Sequence, residues 1–258
     1  MIDSHCHLYF DAFDGCRDRV VREAADAGVH TIVNIGIDIE SSQKCIDLAE
    51  RYDSCYATVG IHPHDAARAP RDYLNTLRSL AAHAKVRAIG EIGLDFYRNL
   101  SPKPVQRRVF EEQLELAADL AMPIVIHTRE SFDATLEVVR RYADRLPGGV
   151  FHCFPGDADD AERVIEIGFV ISVGGVITYP NASMAATAAA TPLDKIIVET
   201  DAPFLTPVPN RGKTNFPAYV ALTCRKLAEL KGVSFDEVEA MTDRTCRKLY
   251  RLVETFGD

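Results

Sequence analysis

Eight short apolar runs alternating with helical patterns predict an α/β fold, a closed (β/α)8 TIM-type barrel, for this chain of 258 residues. The runs are nearly continuous in Ile, Val and Gly, the composition of strands buried on both faces. Strands that alternate with helices pair in parallel through right-handed crossovers, and eight such units in about 250 residues are enough to close a barrel. A doubly wound open sheet is the alternative that the same alternation allows.

The elements follow in order. MIDSHCH (1–7) is the first strand, and the helical CRDRVVREAADAG after it ends in Gly28, a suitable C-cap. TIVNIGI (31–37) is the second strand; SSQKCIDLAERY after it opens on a serine fit for an N-cap. YATVGI (56–61) and VRAIGEIGL (86–94) are the third and fourth. VQRRVFEEQLELAADLAM, then PIVIH (123–127), then SFDATLEVVRRYA place the fifth strand between two helices with apolar residues three and four apart. GVFHCF (149–154), FVISVGGV (169–176) and KIIVETD (195–201) complete the strands. The seventh unit is the weakest, because TYPNASMAATAAA offers only a short Ala-rich helix. PAYVALTCRKLAELKG and SFDEVEAMTDRTCRKLYRLVE are the final helices. No linker or compositional break divides residues 1–258, which read as a single barrel domain.

Composition excludes several functions. Hydrophobic residues at 47% and charged residues at 26% match a well-cored soluble protein. No apolar run approaches the roughly 20 residues of a membrane span, and the opening lacks the basic and apolar parts of a signal peptide. A cytoplasmic protein without a membrane partner is expected. The seven cysteines are dispersed without CxxC spacing, so they are expected to be reduced and mostly buried. A formal charge of -9 argues against a broad basic surface coating nucleic acid, but permits a phosphate held in one small site. GxGxxG and Walker patterns are absent, so no nucleotide cofactor is implied. The oligomeric state is left open.

Polar residues gather late in the strand segments: His5 and His7, His62 and His64, Glu91 and Asp95, His127 with Arg129 beyond it, His152, and Glu199 with Asp201. In parallel strands these positions meet at one rim, where barrel enzymes place their active sites. Side chains alternate across a strand, so if His5 and His7 face the axis, Cys6 faces the helices; Cys153 beside His152 takes the same reading. The site is then built of nitrogen and oxygen, which suits divalent zinc, manganese, nickel or iron and leaves room for magnesium. Four histidines with Glu91 and Asp201 are too many donors for one tetrahedral ion and divide naturally between two metals sharing one carboxylate. Glu199 shares the parity of Asp201 and is expected to face inward, supporting the ligands or, alternatively, ligating directly. Asp3 reads as structural, and His30 and His83 as surface residues.

The segments DSHCH, GIHPH, AIGEIGLDFY, PIVIHTRES, FHCFPGD, VETDAPFLTP and NRGKTNFP, spread in order over residues 3–217, resemble the TatD family of metal-dependent deoxyribonucleases. That resemblance implies a two-metal site in which His5, His7 and Asp201 bind one ion, His127 and His152 the second, and Glu91 bridges. It also implies that His62 and Arg129 contact a substrate phosphate, that the substrate is DNA with short or single-stranded ends, and that cleavage runs 3′ to 5′. HCFPG departs from the usual family spelling of that loop.

The chemistry is consistent with that resemblance. Two divalent ions, such as Mg, Mn or Zn, would activate a water and offset phosphoryl charge. Asp201 is the candidate to orient that water and take its proton, with Glu91 holding the cations together, and Arg129 offers a planar fork for phosphate. In the NRGKTNFP segment, Arg211 and Lys213 are either phosphate contacts or parts of a rigid brace. Phe96, Tyr97, Phe154 and Phe204 either stack on bases or pack the rim. The enzymatic alternative is an amidohydrolase-like enzyme cleaving amide or ester bonds, such as those of D-aminoacyl-tRNA; the absence of lysine from AIGEIGLD disfavours it. A non-catalytic metal-stabilised binding protein is disfavoured by the intact donor set.

Overall fold

The computed structural model describes residues 1–252 and places eight parallel strands in one sheet, in chain order. They are β1 (Ile2–Cys6), β2 (Thr31–Ile35), β3 (Cys55–Val59), β4 (Val86–Asp95), β5 (Ile124–Arg129), β6 (Gly149–Phe151), β7 (Val170–Val173) and β8 (Ile196–Val198). A parallel bridge between Cys6 and Ala202 joins the last strand to the first. Around it, Asp201 N donates to His5 O at 2.9 Å and His7 N to Ala202 O at 2.8 Å. The barrel therefore closes at the two segments that carry the histidine pair and Asp201.

The intervening helices are α1 (Arg17–Asp26), α2 (Ile39–Arg51), α3 (Tyr73–Ala81), α4 (Lys103–Asp119), α5 (Phe132–Arg140), α6 (Ala158–Glu166), α7 (Ser183–Ala190), α8 (Val220–Lys231) and α9 (Phe235–Tyr250). The stretches that form α3 and α6 carry no element in the sequence reading. α6 is nonetheless signalled locally: Asp157 accepts from Asp160 N at 3.0 Å as its N-cap, and Ala161 and Val164 turn inward. α2 starts earlier than expected. Its cap is Asp38, and Ser41 is the third helical residue of a reciprocal capping box, its N–H donating to Asp38 Oδ1 at 2.7 Å. Gly28 takes φ +84° just past α1, as a helix end requires. Residues 253–254 of the expected last helix lie outside the described residues. Among the described residues, no helix is long and apolar enough to cross a membrane.

Two apolar layers result. An inner cluster fills the barrel with Ile2, Val33, Ile35, Ala88, Val125, Val150 and Ile197, closed below by Cys246, Tyr250 and Leu252. An outer cluster, including Cys6, Ile89, Ile92, Ile126, Phe151 and Val198, packs the strands against the helices. In β5 the order inner Val125, outer Ile126, His127 is strict alternation, and β6 continues it from Val150 through Phe151 to His152. β1 and β4 break it. Ile2 and Ala88 lie inside, while Cys6, four residues beyond Ile2 and so on its side by alternation, and Ile92, likewise four beyond Ala88, lie outside. The register slips by one residue between Asp3 and Cys6 and between Ile89 and Ile92, and each such bulge resets which side chains face the axis. Past its bulge, β4 lies so close to β5 that a Cβ on Gly93 would sit 2.0 Å from His127 O. Only glycine, here at φ +144°, fits there.

Candidate metal centre

His5 arises from the bulged end of β1 with His7 just past it, Glu91 from the bulge of β4 and His127 from β5. His152 follows β6 and Asp201 follows β8. Their donor atoms converge. Glu91 presents its two oxygens to different groups: Oε2 lies 3.6 Å from His5 Nε2, while Oε1 lies 2.9 Å from His127 Nδ1, 3.0 Å from His152 Nε2 and 3.5 Å from His62 Nε2. Asp201 Oδ1 lies 3.3 Å from His7 Nε2 and 3.6 Å from His5 Nε2. All six expected ligands are thus brought together, and His62 sits among them.

This donor set fits cations. Three groups, His5–His152–Asp201, His5–His7–Glu91 and His62–Glu91–His127, each place one donor atom per residue within 4.8 Å of the others. His5 Nε2 and His7 Nε2 face each other at 3.2 Å, an arrangement that needs a shared proton or a cation between them. His5 and His152 stack with centroids 3.9 Å apart, a costly approach if both rings are charged. No cysteine belongs to any of these groups.

Neighbouring oxygens hold the rings in place. Ile35 O lies 3.0 Å from His7 Nδ1. Glu199 Oε1 lies 3.4 Å from His152 Nδ1, outside hydrogen-bond geometry, and accepts from Cys153 N at 2.8 Å, while Ser172 Oγ donates to Glu199 Oε2. Glu199 therefore faces His152 as a buried charge and makes no hydrogen bond to its ring. Asp95 and His64 belong to the site without an assigned role in the sequence reading. Asp95 Oδ2 lies 3.1 Å from His127 Nε2 and 2.9 Å from His64 Nε2. Their signal is position: Asp95 is four residues past Glu91 on the same side of β4.

Burial and charge set the protonation. Burial pushes Glu91 up, but His152, His62 and His127 outweigh it and hold the acid well below its ordinary value. Burial likewise works against Asp201, yet His7 and His5 keep it low. His127 and His152 are raised despite burial, the first by Asp95 and Glu91 and the second by Glu91 and Glu199. His5 is lowered by burial and by His152. His62 falls to about 4, chiefly through burial. His62 Nδ1 accepts from His64 N at 3.1 Å, so the neutral ring carries its proton on Nε2.

The centre opens into a cleft of about 850 Å³ whose lining includes Phe10, Arg98, Leu100, Arg129, Cys153 and Phe204. Arg129 is exposed, makes no ion pair among the described residues, and lies over the Tyr97 ring at 3.9 Å. Arg211 instead stacks on Tyr179 at 4.3 Å and does not line the cleft. In the same loop Asn215 is buried and donates to Thr200 O at 2.8 Å and Phe204 O at 2.7 Å, which is the bracing arrangement. Of the rim aromatics, Phe154 is buried and Phe96 half-buried, while Tyr97 and Phe204 are exposed. Cys153 departs from expectation. β6 ends at Phe151 and Cys153 takes φ +42°, so alternation no longer applies and the half-buried residue reaches the cleft.

A family profile described as TatD related DNase matches residues 2–251. The chain is 36% identical over 253 residues to the uncharacterized metal-dependent hydrolase YabD of Bacillus subtilis, covering 98% of this chain and 99% of that protein. It is 34% identical over 256 residues to the 3'-5' ssDNA/RNA exonuclease TatD of Cronobacter sakazakii, covering 97% of each. The crystal structure of YjjV, a TatD homolog from Escherichia coli K12, superposes with a TM-score of 0.92 at 33% identity over 98% of both chains.

Proposed function

This chain belongs to the TatD related DNase family and is a metal-dependent hydrolase, and from that premise we propose that it removes nucleotides from single-stranded ends of DNA, in the 3′-to-5′ direction, with two divalent cations. The observation that carries the reading is Glu91, whose two oxygens face separate histidine groups as a carboxylate shared by two cations would. His5, His7 and Asp201 would hold one ion and His127 and His152 the other. When bound, such ions lower the pKa of a coordinated water and offset charge on a phosphoryl group.

The protein's own groups supply the remainder. Asp201 is held ionised at neutral pH and so can accept a proton from the attacking water. Arg129, backed by Tyr97 and free of carboxylates, presents its donors to a phosphate in the cleft. His62 acts as a neutral Nε2–H donor beside Glu91, not as an imidazolium. Arg211, outside the cleft, is assigned to more distant phosphates of the strand. The named activity of the Cronobacter relative supports the choice of substrate.

End-labelled single-stranded oligonucleotides, with duplex, amide and ester controls, test the reading. Expected is metal-dependent release of nucleotides from the 3′ end, abolished by a chelator. Turnover of an amide or ester without release of nucleotides overturns it.

A further inference from the structure

Four large apolar side chains are exposed among the described residues: Tyr97, Leu100, Phe204 and Val208. Leu100 and Phe204 line the cleft, and the backbone of Phe204 is anchored there. Its N–H donates to Asp201 O at 2.8 Å and its carbonyl accepts from the buried Asn215 at 2.7 Å. The next residue is clamped too: a Cβ on Gly175 would lie 2.4 Å from Leu205 O, so the two backbones meet where no side chain fits. Phe204 is 48% exposed, and its ring centroid lies 5.4 Å from that of Phe10 and 6.4 Å from that of His7. An apolar ring on an anchored backbone thus lies beside Phe10 and His7, in a cleft that also holds Arg98 and Arg129.

We propose that Phe204, supported by Phe10, is a stacking subsite for an unpaired nucleobase beside the scissile phosphate. The proposal rests on the nuclease reading above and specifies its substrate. Every base has a π-face, so stacking tolerates any sequence, whereas a base inside a duplex already has both faces covered by its neighbours. The charge in the same cleft points to a phosphate-bearing aromatic ligand over an apolar peptide. The subsite therefore favours ends of any sequence whose base beside the scissile phosphate is unpaired over ends that keep that base stacked inside a duplex.

The test compares a short single-stranded oligonucleotide with two copies carrying an abasic deoxyribose, one at the terminal and one at the penultimate position, all phosphates kept. The wild type is expected to cleave one abasic strand with kcat/KM about five- to 150-fold lower than the normal strand, the scale of one base–aromatic stack. Phe204→Ala slows the normal strand to the abasic rate with metal content unchanged, and Phe204→Tyr and Phe204→Trp keep the difference. Equal rates on all three strands in the wild type, or an abasic penalty that survives in Phe204→Ala, overturn the subsite. The wild-type comparison holds whether or not the variant folds. Failure of the metal-loaded wild type to cut any oligonucleotide overturns the nuclease reading itself, and the subsite with it.

Discussion

His152 stands between two carboxylates, with Nε2 3.0 Å from Glu91 Oε1 and Nδ1 3.4 Å from Glu199 Oε1. One nitrogen faces the metal centre and the other a buried acid that is itself anchored by Cys153 N and Ser172. A buried carboxylate behind the imidazole raises its basicity through its charge. Glu199→Gln keeps the size but removes the charge. It is expected to weaken metal binding by about 10- to 100-fold, measured by titration of the metal-free protein, with the fold unchanged by circular dichroism.

Glu91→Gln removes the negative charge shared by the two histidine groups. Metal titration should show one site lost or severely weakened, and turnover should fall by about 100-fold or more, as when an essential ligand is removed. Full occupancy of two ions with normal turnover would rule out the shared carboxylate.

Arg129→Ala should leave metal content unchanged, because the guanidinium lies over Tyr97 and belongs to none of the candidate ligand groups. Losing a charged phosphate contact worth about 1.5–3 kcal/mol should lower kcat/KM about 10- to 150-fold, mainly through KM. Arg129→Lys restores only part, since the ammonium lacks the planar fork. Tyr97→Ala, which removes the ring beneath the guanidinium, should cost about two- to fivefold. Loss of metal in Arg129→Ala would refute the assignment.

Metal affinity should rise with pH. In the metal-free protein the pKa values of His127 and His152 are raised above the ordinary histidine value, despite burial, because carboxylates face them. A binding cation must expel those protons, so affinity falls as pH drops below their pKa values and levels off above them. The same two groups stabilise the metal-free fold fully below about 6.5, the unfolded value, and lose that contribution as pH rises through their raised values. Calorimetric titration in buffers of different ionisation enthalpy reports the released protons; none released at pH 7 would contradict this.

Cys6→Ala should keep metal binding and activity, because Cys6 packs in the outer apolar layer with its thiol 3.8 Å from Ala202 O. As a small core truncation it should cost about 1–2 kcal/mol of stability, read by denaturant titration.

Much of the site is legible in the residues themselves. The strand-and-helix rhythm predicts a barrel, and a barrel places every strand end at one rim. His5, His7, Glu91, His127, His152 and Asp201 can therefore be grouped by position alone. Alternation along β5 and β6 then orients His127 and His152 correctly, because side-chain direction in a regular strand is a local property of the backbone. The bulges in β1 and β4 are not local. Each arises where a strand slips one residue against its neighbour, and that slip is what lets Ile2 and His5, or Ala88 and Glu91, all face the axis. The positive φ of Cys153, the stacking of Arg211 on Tyr179 and the choice of Phe204 over Phe154 as the exposed ring likewise depend on contacts between segments distant in the chain. Residue types and their spacing determined the donors and the rim they share; only the packing of strand on strand decided which way each donor points, because a one-residue slip in register exchanges the two faces of a strand.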